Sequence, residues 1–168
     1  PAISSRPEQR SFASSLYHLT KALDPSRPVI SNDGWEHTIS DIWGVHDYTQ
    51  FKQQLVDRYG TLEAVEDTLR GMHAGRRRIL LEPEHRRDQP VMLTEFGGLS
   101  YRPKAGEAWF GYATVTSEQE YTETMKSLFD AIYQSPYLAG YCYTQLTDTM
   151  QETNGLLDEN RRPKLPLD

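Results

Sequence analysis

The stretch VMLTEFGG, residues 91–98, joins an apolar run to the carboxylate of Glu95 and then to an aromatic residue and two glycines. The run predicts a buried strand. A carboxylate at the end of such a strand is costly unless it has a partner or a function. Gly97 and Gly98 would let the backbone or a bound molecule approach closely. Glu95 is therefore either a functional carboxylate or a strand-end carboxylate paired with an arginine.

Polar and aromatic side chains also lie at or just after the ends of three other short apolar runs, at residues 28–31, 41–45 and 138–143. The side chains in question are Asn32, Asp33, Trp35 and Glu36; His46, Asp47 and Tyr48; and Tyr143, Gln145 and Asp148. Tyr101 lies in the long loop predicted at 97–116. Several of these residues also have a structural explanation, since Asn32-Asp33-Gly34 is common turn chemistry and His46-Asp47 is suited to a hydrogen-bonded pair.

Amphipathic segments separate the four apolar runs. Apolar residues at helical spacing between Phe12 and Leu23 predict a first helix, Thr61 caps a later one, and Ser117 opens a capping box with Glu120. Alternating strands and helices predict an α/β fold with a parallel sheet. Since each strand ends in polar and aromatic groups, and no G-x-G-x-x-G loop occurs, a (β/α)8 TIM barrel is favoured over a doubly wound sheet.

The length of the chain limits how much of a barrel it can contain. A complete barrel needs about 250 residues, whereas this chain has 168 residues and shows only four predicted strands. We therefore expect residues 1–168 to be a single-domain fragment that holds about the last four β/α units.

Composition excludes several classes of partner. A net charge of -6 argues against nucleic acid. The sequence contains no apolar run of about 18 residues, so it predicts no membrane span. The basic cluster Arg76, Arg77 and Arg78 is interpreted as a solvated helix end or loop, and the single Cys142 cannot form an internal disulfide.

The predicted strand ends would meet at one rim of the barrel. Carboxylates, amides and aromatic rings on one surface suit a neutral polyhydroxylated ligand, such as a sugar. Retaining glycoside hydrolysis uses two carboxyl groups about 5 to 5.5 Å apart, one of them a nucleophile, and Glu95 fits that role. A metal site built from Glu36, His46 and Asp47 is a weaker hypothesis, since no H-x-H or H-E-x-x-H spacing supports it. We predict neither a metal nor a cofactor.

Four segments together resemble the catalytic barrel of glycoside hydrolase family 2, which contains β-galactosidases, β-glucuronidases and β-mannosidases. They are RPVISNDGWE (27–36), WGVHDY (43–48), PVMLTEFGG (90–98) and GYCYTQLTDTMQETNGLLDENRRPK (140–164). The last segment is the most specific. The resemblance covers nearly the whole chain, from the helix after the fourth barrel strand to just past the eighth.

The resemblance implies a retaining, exo-acting β-glycosidase of β-galactosidase type that acts on a carbohydrate substrate. Glu95 corresponds to the nucleophile at the end of the seventh strand. The implied substrate-binding residues are Asn32, Asp33, Trp35, His46, Asp47, Tyr48, Tyr101, Gln145 and Asp148.

One departure from the family pattern concerns the acid/base glutamate, which follows an asparagine at the end of the fourth strand. No Asn-Glu pair occurs in this chain, and Glu36 is poorly placed to substitute. The sequence therefore predicts a fragment that lacks the acid/base residue, the upstream barrel half and the β-sandwich domains, and that is inactive alone. Its open sheet edges predict self-association.

Other functions and properties stay open at this stage. The alternatives are a non-catalytic carbohydrate-binding fragment and, with less support, a metal-dependent TIM-barrel hydrolase. A neutral sugar is favoured because no cation is evident on the rim. Localisation is open, with the cytoplasm favoured, since any targeting signal would precede Pro1.

Overall fold

The computed structural model describes residues 6–72, 76–101 and 111–166. Within these residues, four α-helices and five β-strands follow one another, with a short 3-10 helix at Pro83–His85. The helices are α1 (Pro7–Leu23), α2 (Lys52–Tyr59), α3 (Leu62–Arg70) and α4 (Glu118–Gln134). The strands are β1 (Trp43–Asp47), β2 (Val91–Gly97), β3 (Leu99–Tyr101), β4 (Ala113–Val115) and β5 (Leu138–Thr144). None of these helices is both long enough and apolar enough to cross a membrane.

Three strands form one parallel sheet in the order β1-β2-β5, with β2 at the centre. Parallel neighbours need crossover connections, and helices lie in both: α2 and α3 between β1 and β2, and α4 between β2 and β5. Val91, Leu93 and Phe96 of β2 are buried, as expected for a central strand that helices cover. The predicted α/β class with a parallel sheet is confirmed.

The core lies between this sheet and helices α2, α3 and α4. Its fully buried large side chains come from both layers: Trp43, Val45, Leu93 and Phe96 from the strands, and Leu55, Tyr59, Leu69 and Leu128 from the helices. A rigid strand layer packed in this way fixes where the ends of β1 and β2 lie.

The predicted caps of α3 and α4 are confirmed. Oγ1 of Thr61 accepts a hydrogen bond from the backbone N–H of Ala64, and Oγ of Ser117 accepts one from Glu120, both at 3.1 Å. Each cap satisfies a backbone donor that has no partner within its helix, and contributes about 1 kcal/mol. The residue types at these positions therefore set where α3 and α4 begin.

The segment after β2 is more regular than predicted. The sequence predicts one long loop over 97–116, but β3 and β4 form a short parallel pair within it, with Leu99 opposite Ala113. Residues 102–110 lie outside the described part of the chain. This small pair extends from the end of the strand that carries Glu95.

Residues 28–31 do not form the predicted strand. The backbone N–H of Val29 donates to Oδ2 of Asp41 at 2.9 Å, and that of Ser31 donates to Oγ of Ser40 at 3.0 Å. Pro28 has no N–H to donate. Because side chains take these donors, no ladder with β1 forms, and the main sheet contains three strands instead of the predicted four.

The sheet is open, and no closed barrel is present among the residues that the structure describes. Closure into a (β/α)8 barrel requires eight strands with matched tilt and stagger, whereas β1 and β5 here are edge strands. The expected TIM-barrel fragment is therefore not confirmed, although the α/β class is.

The apolar residues of α1 lie at the surface rather than in the core. Four large side chains are exposed by 46 to 78%: Phe12, Leu16, Leu19 and Leu23. The helix is held by polar groups instead. Oη of Tyr17 and Nζ of Lys21 donate to the carboxylate of Asp41 at 2.6 and 3.0 Å. This arrangement leaves the apolar stripe of α1 without a covering surface among the described residues.

Candidate active site

Glu95 lies near the carboxyl end of β2, and its side chain is 38% exposed. Its Oε2 accepts a hydrogen bond of 2.5 Å from Oη of Tyr48 and lies 3.1 Å from Nδ1 of His46. His46 is the β1 residue that pairs with Glu95 in the sheet, so the register itself brings these side chains together. Among the described residues no arginine or lysine pairs with Glu95, which does not support the arginine-paired alternative.

His46 lies between two carboxylates. While its Nδ1 faces Glu95, its Nε2 lies 3.2 Å from Oδ2 of Asp33. The second separation is within ion-pair distance, but Nε2 does not have the geometry of a hydrogen bond to any described residue. We therefore treat the contact with Asp33 as electrostatic. Trp35 packs edge-on against the imidazole, with ring centroids 4.9 Å apart, and restricts the ring plane.

The turn that precedes β1 carries Asp33 and Trp35 to the site. Nδ2 of Asn32 donates to the carbonyl of Trp35 at 2.5 Å, so the Asn32 amide stabilises the turn. Oδ1 of Asp33 accepts from Oγ1 of Thr94 at 2.6 Å. Gly44 makes this contact possible, because a Cβ there would overlap Oδ1 of Asp33. Turn chemistry and site geometry thus coincide in this segment.

Tyr48 is a hydrogen-bond donor held at the carboxylate. Burial, and then its hydrogen bond to Glu95, raise the pKa of Tyr48 well above the ordinary tyrosine value. The phenol therefore stays protonated at neutral pH and keeps donating. Its ring stacks on that of Tyr112, with centroids 3.4 Å apart and planes within 6°.

Sequence reasoning missed Tyr112. The residue lies within the predicted long loop 97–116, and its one sequence signal is that it is an aromatic residue in a loop after the candidate nucleophile. Nothing in the local pattern links it to Tyr48, which lies 64 positions earlier in the numbering. Only the tertiary structure brings the two rings together.

The two glycines after Glu95 make room for aromatic rings. A Cβ at Gly97 would overlap the ring of Tyr143, and one at Gly98 would overlap that of Tyr112. Both glycines also have positive φ angles, +89° and +66°, which side-chain-bearing residues rarely adopt. The sequence predicts that the backbone or a bound molecule uses this space, whereas in the structure protein side chains fill it.

Asp47 does not join the site. It follows His46 in β1, so its side chain lies on the other face of the strand. There it is fully buried, and both carboxylate oxygens accept from a guanidinium nitrogen of Arg58 at 2.8 Å, while Oη of Tyr59 donates to Oδ2 at 2.9 Å. The sequence predicts that Asp47 contacts the substrate. The structure corrects this prediction, because the buried Asp47 pairs with Arg58 and its role is structural.

The remaining predicted residues have partners elsewhere. The ring of Tyr101 packs on that of Tyr121, at a centroid distance of 5.4 Å. Oδ1 of Asp148 accepts from Nζ of Lys164 at 2.7 Å and from the backbone of Gly155 at 2.8 Å, which holds the segment after β5 in place. The backbone of Gln145 accepts from Leu156, and its side-chain nitrogen has no hydrogen-bond partner in the described residues. None of these three has a described contact with Glu95.

The metal hypothesis is not supported by the geometry. Asp47 is committed to Arg58, and Glu36 is buried, with the positive φ of 56°. The one group of three potential ligands found in the described residues is Glu82, Glu84 and His85, around the 3-10 helix. These residues lie in the segment before β2, on the side of its amino end, whereas Glu95 lies near its carboxyl end.

Two cavities of the structure lie away from these strand ends. One of about 530 Å³ is lined by α2 and α3, from Gln54 to Thr68, and another of about 530 Å³ lies between α4 and residues 165–166. Neither includes Glu95. We assign the candidate site from the chemistry of Glu95 and its neighbours, because catalysis depends on groups held in a productive geometry.

Comparison with solved structures relates this fold to glycoside hydrolases. A glycoside hydrolase family 2 β-galacturonidase from Eisenbergiella tayi, bound to galacturonate, aligns with a TM-score of 0.60 and 19% identity over 96% of this chain. A β-glucuronidase from Faecalibacterium prausnitzii aligns with a TM-score of 0.58 and 20% identity over 98%. The Bifidobacterium dentium β-glucuronidase complexed with coumarin-3-O-glucuronide gives 0.58 and 19% over 95%.

These similarities establish the fold. The aligned region is 29, 28 and 26% of those three proteins, so this chain spans less than a third of their length. No protein-family model matches the sequence, and no curated protein does. The chain has the α/β fold of part of a family 2 glycoside hydrolase.

Proposed function

We propose that this chain is part of the catalytic domain of a retaining, exo-acting β-glycosidase, with Glu95 as the nucleophile. The observation that supports the proposal best is the environment of Glu95. It is a half-exposed carboxylate at the end of the central strand, contacted by the phenol of Tyr48 and the imidazole of His46. A rigid strand and two polar neighbours are what a positioned nucleophile needs.

In the proposed reaction a carboxylate oxygen of Glu95 attacks the anomeric carbon of the sugar. The glycosidic bond breaks, its electron pair leaves with the aglycone oxygen, and a proton from a general acid neutralises that oxygen. Water then attacks the glycosyl-enzyme ester, releases the sugar and restores Glu95. The hydrogen bond from Tyr48 fixes the orientation of the attacking carboxylate, and His46 and Trp35 form the adjoining wall.

We further propose that the acid/base carboxylate comes from outside these 168 residues. The sequence has no Asn-Glu pair, and Asp33 faces His46 from the side opposite to Glu95. General acid catalysis typically contributes about 10²- to 10⁴-fold. We therefore expect little turnover of ordinary glycosides by this chain alone, and turnover when an upstream barrel half supplies the missing carboxylate.

The direct test of Glu95 uses a substrate whose leaving group needs no proton. A dinitrophenyl 2-deoxy-2-fluoroglycoside forms a slowly hydrolysed ester with a retaining nucleophile, and intact-mass spectrometry detects it. We expect one fluorosugar per chain, localised to Glu95 by peptide mapping, and none in Glu95→Gln. Labelling at another carboxylate, or equal labelling of the Gln variant, would reject the assignment.

The sugar is proposed at the level of class. A β-galactoside-like neutral substrate follows from the sequence resemblance, and an acidic sugar is suggested by one observation: the guanidinium of Arg77 lies 5.3 Å from the ring centre of Trp35, which itself contacts His46. A panel of galactosyl, glucuronyl, galacturonyl and mannosyl probes separates the two. If the guanidinium of Arg77 binds a sugar carboxylate, Arg77→Gln will slow the labelling by uronyl probes and leave the labelling by neutral probes unchanged.

A second candidate function is carbohydrate binding without cleavage. The observation in its favour is that no second carboxylate contacts Glu95 among the described residues. Calorimetric titration with galactose, glucuronate and mannose, run beside the labelling assay, distinguishes the two functions. Binding with no labelling of Glu95 would favour this candidate.

A further inference from the structure

Tyr112 is tied to the end of β2 through its backbone. Its N–H donates to the carbonyl of Gly98 at 2.9 Å, and the N–H of Gly98 donates to the carbonyl of Thr144 at 2.8 Å. Gly98 follows Glu95 by three positions. The position of Tyr112 is therefore fixed relative to the nucleophile strand, although the residue itself lies just before β4.

The ring of Tyr112 lies flat on the ring of Tyr48. The 3.4 Å centroid distance and the 6° interplanar angle leave no space between the two faces. Gly98 supports both rings: a Cβ at this position would overlap Tyr112 and lie 3.0 to 3.1 Å from two ring carbons of Tyr48. The absence of a side chain at residue 98 is thus what allows the two rings to stack beside the strand end.

The backbone and the hydroxyl of Tyr48 are fixed by other residues. Nε2 of Gln50 donates to the carbonyls of Tyr48 and Gly97, at 3.0 and 2.6 Å, and joins the ends of β1 and β2. The hydroxyl donates to Glu95. Tyr112 covers one face of the ring between these two fixed points, and so restricts the rotamers that the Tyr48 side chain can adopt.

We propose that Tyr112 is a positioning residue for the nucleophile: by stacking on Tyr48 it holds the Tyr48 hydroxyl on Glu95. The proposal rests on the function proposed above, since it assigns Tyr112 a role through Glu95. It also makes a distinction between two substitutions. Tyr112→Phe keeps the stacking face, whereas Tyr112→Ala removes it.

The first test needs no substrate. Chains labelled with ¹³Cζ-tyrosine are compared by NMR, and the Tyr48 resonance is assigned from its loss in Tyr48→Phe. In the wild-type chain, Glu95→Gln will shift the Tyr48 resonance because it changes the acceptor of the phenol. We expect the Glu95→Gln shift to persist in a Tyr112→Phe background and to shrink at least about threefold in a Tyr112→Ala background. An equal shift in all three backgrounds would overturn the proposal.

The second test is the rate of labelling of Glu95 by the fluoroglycoside. We expect Tyr112→Ala to lower the rate by about ten- to a hundredfold, in line with the loss of a hydrogen bond to a charged group, and Tyr112→Phe to stay within about twofold of wild type. An unchanged rate in Tyr112→Ala overturns the positioning role. A loss of the same size in both variants also overturns it, because it would place the effect in the Tyr112 hydroxyl.

A failure of the proposed glycosidase function can be distinguished from a failure of the role proposed for Tyr112. If the wild-type chain is never labelled at Glu95 under conditions where it binds sugar, the proposed glycosidase function is rejected, and the NMR comparison still decides whether Tyr112 holds Tyr48 on the carboxylate. Far-ultraviolet circular dichroism and a thermal melt confirm that each variant is folded, so that a general loss of structure is not taken for a loss of positioning.

Discussion

His46 and Asp47 are consecutive residues of β1 whose side chains lie on opposite faces of the sheet. His46 contacts Glu95 at 3.1 Å on the face that carries the candidate site. Asp47 contacts Arg58 and Tyr59 of α2 on the face that packs against the helices. The alternation of side chains along a strand therefore divides one short polar sequence into a functional residue and a structural residue.

Asp47→Asn is expected to destabilise the chain while leaving the candidate site intact. It removes the charge that pairs with the guanidinium of Arg58, and breaking a buried pair in this way costs about 3 to 5 kcal/mol. Urea denaturation measures the loss. Asp57→Asn is the control, since Asp57 lies on α2 next to Arg58 but is exposed, and the free energy of unfolding of this variant should change by less than about 0.5 kcal/mol. Equal effects of the two variants would contradict this assignment.

His37 is expected to make the fold sensitive to mild acid. The ring is buried behind β1, with Nε2 2.8 Å from the carbonyl of Gly44 and Nδ1 3.0 Å from Oγ of Ser40. Burial lowers the pKa of His37 from 6.5 to about 4. Because the unfolded chain binds the proton at a higher pH than the folded chain, the stability from this site is complete above pH 6.5. It is lost progressively as the pH falls towards 4.

The measurement is the urea midpoint at pH 7.5 and at pH 4.5. Wild type should lose most of roughly 3 kcal/mol over this interval, and His37→Gln should show a flatter dependence even if it is less stable throughout. His18→Gln, at an exposed position of α1, should retain the wild-type slope. An NMR titration that gives His37 a pKa near 6.5 would refute the explanation.

The exposed stripe of α1 is expected to drive self-association, together with the open edges of the sheet at β1 and β5. Large apolar side chains at one face bury area when a second surface covers them, at about 25 cal/mol per Å². Replacing Leu16 and Leu19 by Gln should raise the dissociation constant of the assembly at least about tenfold, as measured by multi-angle light scattering.

Leu62→Gln provides the control, since Leu62 is also a half-exposed leucine but lies on α3. It should leave the assembly unchanged. A monodisperse monomer at high concentration of the wild-type chain would show that the exposed stripe does not mediate association.

Gly34→Ala is expected to displace His46. Gly34 has a φ of +86°, and a Cβ there would overlap the imidazole ring. Strain and displacement together should cost about 1 to 3 kcal/mol and slow the labelling of Glu95. Gly140→Ala is the comparison, because its Cβ would meet only the flexible end of Met92, at 2.8 Å. If Gly34→Ala is labelled as fast as Gly140→Ala, His46 does not help to position the nucleophile.

Local sequence determined the elements whose physics is local. Thr61 and Ser117 cap helices because their hydroxyls reach backbone donors three residues later, and apolar runs between helices gave β1, β2 and β5. The same logic failed at residues 28–31, where an apolar, β-branched segment gives its donors to the side chains of Ser40 and Asp41. Those partners lie about ten residues away, beyond what a strand pattern reports.

The candidate site divides in the same way. The sequence by itself determined that Glu95 ends an apolar strand beside a glycine pair, and that polar residues follow the neighbouring strand. Only the tertiary structure decided that His46 and not Asp47 faces the carboxylate, since a shift of one residue in register exchanges the two faces of a strand. It also decided that Tyr112 lies on Tyr48, because contacts between residues distant in the chain depend on how packed elements are placed, and no local pattern encodes that placement.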